Sequence, residues 1–247
     1  MEAARAPGGR ILVGRVINET FSVYGRNFVA LIASAIVVFG VVGVATGLLR
    51  NAGGVVLGVL AGIIWLIGVA LYTGFVVRLV QDVRDGRRDQ TVGDLFSSAA
   101  PAIGALIVFG ILFAIGVAIG LALVIIPGLI LLTLWSMGAP AIVVERAGPI
   151  DAFGRSRRLV RGDAWPVFGT LVVVLLIVIA IGIVLGVIAT PIGNGATVVA
   201  SVISNVITAP IFALAVSVMF FDLGGGRGAA ESAAPAAPTA PPPAPAG

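Results

Sequence analysis

Six long apolar runs, separated by short polar stretches, set the pattern of this chain. Positions 28–49, 54–77, 102–126, 127–144, 165–189 and 196–221 carry no charged residue in their interiors. Each has about the length that a helix needs to cross a hydrocarbon core, roughly 20 residues. Between them stand two kinds of connection. RNAGG after the first run, the Pro127-Gly128 pair after the third and TPIGNG after the fifth are short turns. The other connections are longer, charged and amphipathic. The pattern predicts an all-α polytopic membrane protein of six spans joined as three hairpins.

The amphipathic pieces cover 11–28, 91–101 and 149–161. In the first, Leu12, Val16, Phe21 and Tyr24 alternate at helical spacing with Arg15, Glu19 and Arg26, the pattern of a helix lying in the bilayer interface. In the second, Thr91 and Asp94 have the spacing of a capping box. In the third, Ile150, Phe153 and Leu159 are expected to face lipid, while Asp151, Arg155, Arg157, Arg158 and Arg161 face water and phosphate. Each piece places an acid two positions before a Phe: Glu19 and Phe21, Asp94 and Phe96, Asp151 and Phe153. Each is followed by two spans, and Asp82, Glu145 and Asp222 stand at or just past the end of each second span. We infer three copies of one unit, an interfacial helix followed by a membrane hairpin.

Helix-breaking residues add local expectations. Pro140 inside the fourth span and Pro210 inside the sixth should kink their helices, because each removes a backbone donor. Glycines spaced by four, at Gly43/Gly47, Gly54/Gly58/Gly62, Gly116/Gly120 and Gly182/Gly186, allow helix backbones to approach closely. They predict a bundle pinched on the outer side and looser towards the cytoplasm.

Composition agrees with the membrane reading. Hydrophobic residues make up 59% of the 247 and charged ones only 11%, too little polar surface to cover a water-soluble globule of this size. Basic residues number 15 and all are arginine, against 11 acids. Arginine for every basic position, with abundant Ala, Gly and Val, suggests a bacterial origin. If the N-terminus is cytoplasmic, only Arg50 lies outside, which predicts the bacterial cytoplasmic (inner) membrane with both termini inside. Positions 1–9 are expected to form a flexible N-terminus and 10–222 the membrane domain. GGGRGAAESAAPAAPTAPPPAPAG, within 223–247, should be a disordered Pro/Ala-rich cytoplasmic tail. The N-terminal stretch lacks the apolar core and cleavage site of a secretory signal, so the first span should serve as the insertion signal.

The chemistry available is narrow. His and Cys are absent, which removes imidazole and thiolate metal sites, Cys nucleophiles and His-dependent triads. The uncharged spans lack the buried ionisable groups that proton relays and coupled transporters need. No aromatic side chains are interleaved with the arginines as a nucleic-acid groove would require. We therefore expect a non-enzymatic protein with no cofactor, no metal and no nucleic-acid partner. Two candidate sites remain. Arg26, Arg155, Arg157, Arg158 and Arg161 stand at the depth of anionic phospholipid headgroups, where guanidinium forks bind phosphate well; the same arginines also serve to fix topology. On the sixth span Thr197, Ser201, Ser204, Asn205 and Thr208 share one helical face. Against a cavity this stripe could bind a headgroup or line a path; against another helix it is hydrogen-bonding glue.

Pro127-Gly128, Trp135, Pro140, Val143-Val144-Glu145, Ala152 through Arg155-Ser156, Leu159 through Arg161-Gly162, and Trp165 form a signature. It resembles that of the bacterial family known as the membrane domain of glycerophosphoryl diester phosphodiesterases. RVINETFSVYGRNF and VMFFDL are also similar to that family, so the resemblance extends over about residues 10 to 223. The metal-dependent hydrolase domain of such enzymes is rich in His and acids and has no counterpart here. The resemblance implies a multi-span membrane module. Three roles are open: a scaffold that engages anionic phospholipid and an envelope protein partner, a transporter or lipid-translocating protein, and a regulator of a separate phosphodiesterase.

Overall fold

The computed structural model describes residues 11–86, 91–192 and 194–226. The flexible N-terminus (1–9) expected from sequence lies outside these residues, as does the expected Pro/Ala tail from residue 227 onward. The described residues form ten α-helices and two short 3-10 turns, with no strand. In order they are α1 (Val13–Arg26), α2 (Phe28–Ala52), α3 (Val55–Asp85), α4 (Val92–Ala99), α5 (Ile103–Leu123), α6 (Ile125–Trp135), α7 (Gly138–Glu145), α8 (Asp151–Val160), α9 (Ala164–Ala189) and α10 (Asn194–Asp222). Six segments are long and apolar enough to cross a membrane, at Phe28–Leu49, Val55–Asp85, Val92–Leu123, Ile125–Glu145, Ala164–Ala189 and Val202–Asp222. Each overlaps one of the six runs in the sequence.

The three expected units close into a ring. Each hairpin packs within itself, α2 on α3, α5 on α6 and α9 on α10. The second helix of each hairpin then meets the first helix of the next, α3 on α5, α6 on α9, and α10 back on α2. The second helices converge on one another as well, through α3, α7 and α10. They form an inner triangle with α2, α5 and α9 outside it. The interfacial helices obey the same rule: α4 lies on α3, α8 on α6 and α7, and α1 on α10. Each interfacial helix thus covers the inner helix of the preceding unit, and the first unit covers the last.

Side chains explain the docking. α1 turns Val16, Thr20 and Val23 inward, at spacings of four and three, and leaves Leu12 and Phe21 exposed. α4 begins with the capping box expected at Thr91 and Asp94, each side chain bonding the other's backbone N–H. Its Phe96 stacks on Phe75 of α3, with ring centroids 4.6 Å apart. On α8, Phe153 lies 4.6 Å from Phe109 and 4.8 Å from Trp135, and Leu159 is buried. Of the three residues expected to face lipid on α8, only Ile150 is exposed, at 73%. Apolar periodicity marks a face that leaves water, and Phe153 and Leu159 leave it for protein.

One further expectation is overturned and another is narrowed. The turn between the third and fourth spans is not Pro127-Gly128 but the single extended residue Val124. Pro127 stands in the first turn of α6, where its missing N–H would have had no helical partner. Gly128 is needed there for contact: a Cβ on Gly120 would meet the Gly128 Cα at 2.9 Å, and a Cβ on Gly128 would meet the Leu121 amide nitrogen at 2.6 Å. The outer pinch is confined to α5 and α6, where Gly116 packs against Trp135 and Gly120 against Gly128. Gly43, Gly47, Gly54, Gly58, Gly62 and Gly186 have nothing within 4 Å of where a Cβ would stand. The tightest packing lies at the arginine-rich end, in Tyr72–Val80 of α3 and Leu214–Phe220 of α10. The two prolines have different settings. The fourth span breaks at Ser136 and Met137, with Pro140 in the first turn of α7. α10 remains one helix through the buried Pro210, and the Tyr24 hydroxyl donates to the nearby Ile207 carbonyl at 3.4 Å.

The α5–α6 contact gives a direct test. Gly120→Ala should lower the thermal midpoint of the detergent-purified protein by an amount corresponding to about 1–3 kcal/mol, because backbone must move to admit the methyl group. Gly58→Ala, with open space around it, should leave the midpoint unchanged or raise it slightly. Thermal unfolding followed by circular dichroism distinguishes the two.

Candidate functional site

The arginine-rich face holds the charge chemistry, and it divides into paired and unpaired groups. One cluster joins the first and last units. Arg84, at the end of α3, donates from Nη1 and Nη2 to Asp222 Oδ1, both at 3.1 Å, and from Nη2 to Glu19 Oε1 at 2.6 Å. Arg15 of α1 reaches the second Asp222 oxygen at 3.2 Å. The Asp222 side chain is only 1% exposed. Arg84 also lies over the Phe221 ring, 5.5 Å from its centroid. These donors offset the cost of withdrawing a carboxylate from water.

A second cluster joins units two and three. Arg155 of α8 grips Glu145 at the end of α7 with a two-pronged contact, Nε to Oε2 at 2.6 Å and Nη2 to Oε1 at 2.7 Å. The Gly226 amide donates to the same Oε1 at 2.9 Å. The hydrogen bond from Arg155 to Glu145 holds the guanidinium above its ordinary pKa. The next residue, Ser156, is fully buried and repairs the break in the fourth span: its Oγ donates to the Leu134 carbonyl at 2.7 Å and accepts from the Met137 amide at 3.0 Å. The Arg-Ser pair of the sequence signature is therefore structural. Arg155 fixes α8 to α7 and Ser156 fixes it to the gap between α6 and α7.

This removes Arg155 from the lipid-facing set expected from sequence. Arg157, Arg158 and Arg161 remain exposed and, among the described residues, form no ion pair, although the positive charge of Arg158 is felt at Glu145. Arg26 is exposed at the end of α1, where its Nε donates to the Ser22 carbonyl of its own helix at 3.3 Å. An apolar groove of about 540 Å³ runs between α6 and α9, with Ile126 and Ile130 on one wall and Trp165 and Phe168 on the other. Trp165, 81% exposed, stands at its arginine-rich end, four residues after Arg161.

The polar stripe of α10 faces elsewhere. The side chains of Thr197 and Ser201 lie outside the described residues. Ser204 sits across from Gly182 of α9, Thr208 returns its hydroxyl to the Ser204 carbonyl at 2.7 Å, and Asn205 is exposed but engaged. None of these three lines the central cavity. That cavity, of about 220 Å³, lies among α3, α5, the α6–α7 break and α10, and its few polar contributors are Thr73, Ser136 and Ser217. Sequence periodicity found the α10 stripe but could not assign its neighbour. It passed over Ser217, which stands alone in an apolar run.

A smaller cavity, of about 160 Å³, opens beside α3, α4 and α7 and is lined by both Arg78 and Arg146. Neither residue stood out in the sequence. No group of three or more His, Cys, Asp or Glu is arranged to hold a metal ion among the described residues.

An all-helical fold with six membrane-spanning segments and, Arg50 apart, its described charges gathered at one end defines a polytopic integral membrane protein. The chain belongs to the family DUF7847, a domain of unknown function, whose model matches residues 48–222. It is also similar to a UPF0259 membrane protein of Pectobacterium carotovorum subsp. carotovorum (strain PC1). The two are 30% identical over 111 residues, which cover 45% of this chain and 44% of that protein. No solved structure matches. These likenesses support a membrane protein family without connecting it to glycerophosphoryl diester phosphodiesterases.

The paired and unpaired arginines should respond differently to substitution. Arg155→Gln leaves the partly buried Glu145 without its main partner and should cost about 1–3 kcal/mol. Arg157→Gln should stay within about 0.5 kcal/mol of the parent. Trp135 touches Phe153 of α8, so tryptophan fluorescence during thermal unfolding reports the detachment directly.

Proposed function

We propose that this protein is a non-enzymatic membrane module that engages anionic phospholipid at the cytoplasmic face of a bacterial inner membrane and serves there as a scaffold for another envelope protein. The observation that carries this reading is the division of labour within α8. Arg155 is neutralised by Glu145, whereas Arg157, Arg158 and Arg161 stand exposed and, among the described residues, form no ion pair. Unpaired arginines at a membrane edge favour phosphate, which their planar forks match in geometry, and each contributes about 1 kcal/mol near an anionic surface. The α6–α9 groove supports the same reading: an acyl chain fits its apolar walls while the headgroup lies over the arginines that precede it. Nine of the ten arginines among the described residues fall on this side, Arg50 being the exception, which by the positive-inside tendency supports cytoplasmic termini.

A translocation reading has the central cavity as its support, through Ser136 and Ser217 at the convergence of the inner helices. The regulation of a separate phosphodiesterase has only the sequence resemblance.

The test is lipid retention. In native mass spectrometry of protein extracted from membranes, the Arg157→Gln/Arg158→Gln/Arg161→Gln variant should lose most bound phosphatidylglycerol while keeping its thermal midpoint. Equal retention by parent and variant overturns the phospholipid reading. Lipid or solute flux in liposomes that Ser217→Leu abolishes would establish translocation instead.

A further inference from the structure

The three units end their inner helices in the same way, and one departs in a single respect. α3 is terminated by Gly86 in the left-handed conformation, at φ 72°. Two residues past α10, Gly224 has φ 85°. α7 ends in the same region at φ 54°, but the residue is Arg146, the one non-glycine residue with positive φ among the described residues. Glycine is the default at such a helix end because a Cβ costs roughly 1 kcal/mol there. The second unit retains an arginine where the other two have glycine.

That arginine lines the 160 Å³ cavity together with Arg78 of α3. The remaining walls come from Ser98 and Pro101 on one side and Ile142 and Val143 on the other, and no carboxylate lines the site. The Arg78 Nε is buried and has no hydrogen-bond partner, while one of its terminal nitrogens donates to Gln81 at 2.9 Å. The two guanidiniums are near enough to repel each other. Two like charges beside one open cavity carry a cost when the site is empty, and an anion with several acceptor oxygens offsets their repulsion through the guanidinium forks.

We propose that the cavity between Arg78 and Arg146 binds an oxyanion of the phosphate class. Its residues differ from those of the α8 surface, so the site stands whether or not α8 holds lipid. Two sources share this chemistry, a free phosphate group arriving from the aqueous side and a lipid headgroup arriving from the bilayer.

The experiment uses the full chain purified in detergent and in nanodiscs. Inorganic phosphate is added to the detergent sample; the nanodiscs contain phosphatidylcholine alone or with phosphatidylglycerol. The parent protein should be stabilised by inorganic phosphate if the ligand is soluble, or by phosphatidylglycerol alone if it is a headgroup. Arg146→Gly provides the control for folding, because glycine suits the backbone at this position. It should equal or exceed the parent in thermal midpoint without ligand and lose at least tenfold in ligand affinity. Arg78→Gln should also lose the response, and Arg157→Gln/Arg161→Gln should keep the response to inorganic phosphate. The proposal is overturned if neither ligand stabilises the parent, if Arg146→Gly responds as the parent does, or if Arg146→Gly is destabilised without ligand, which would make Arg146 a packing residue.

Discussion

Asp222 carries a carboxylate that is almost wholly withdrawn from solvent at the edge of the membrane, and the joining of the first unit to the last depends on keeping it paired. Removing one partner of such a pair costs about 3–5 kcal/mol, since the remaining charge keeps its desolvation penalty. Arg84 supplies two of its contacts from α3 and Arg15 supplies another from α1. Three helices that are far apart in the chain are thereby fixed in one register. Glu145 repeats the arrangement one unit earlier, taking Arg155 from the next interfacial helix. In both cases the acid that ends an inner helix is held by an arginine of the unit that follows, and the ring of hairpins is closed by charge as well as by packing.

Hydrophobic burial alone would not fix this arrangement. Within a bilayer, lipid tails are as apolar as leucine, so helices associate through close contact and polar bonds. The structure has both, in different places. Gly120 and Gly128 bring α5 and α6 to backbone contact. Ser156 bridges the break between α6 and α7, and the Tyr72 hydroxyl donates to the Leu31 carbonyl from α3 to α2 at 3.1 Å. The broken helix lets α7 turn into the inner triangle while α6 stays against α5.

The spans were legible because length and absence of charge determine whether a segment crosses a membrane. The threefold order was legible because Asp82, Glu145 and Asp222 recur at the ends of the inner helices. What failed did so for a physical reason. Pro127-Gly128 reads as a turn, but proline is equally at home in the first turn of a helix, and only the Gly120 contact explains Gly128. Periodicity points Phe153 and Leu159 at lipid because it cannot tell lipid from protein. Arg155 could not be separated from Arg157 and Arg158 by spacing, since its distinction is the Glu145 ten residues before it. Arg146 does not stand out in the sequence; aligning the three helix ends at Gly86, Arg146 and Gly224 exposes it.

The closure of the ring has a consequence in time. Arg15 and Asp222 lie 207 residues apart, and a ribosome adding about 5–20 residues per second separates their synthesis by roughly 10–40 s. During that interval Arg15, Glu19 and Arg84 wait at the aqueous boundary, where water solvates them. The carboxylate that must be withdrawn from solvent is made after its partners are in place, so order of synthesis spares the nascent chain an unpaired buried charge.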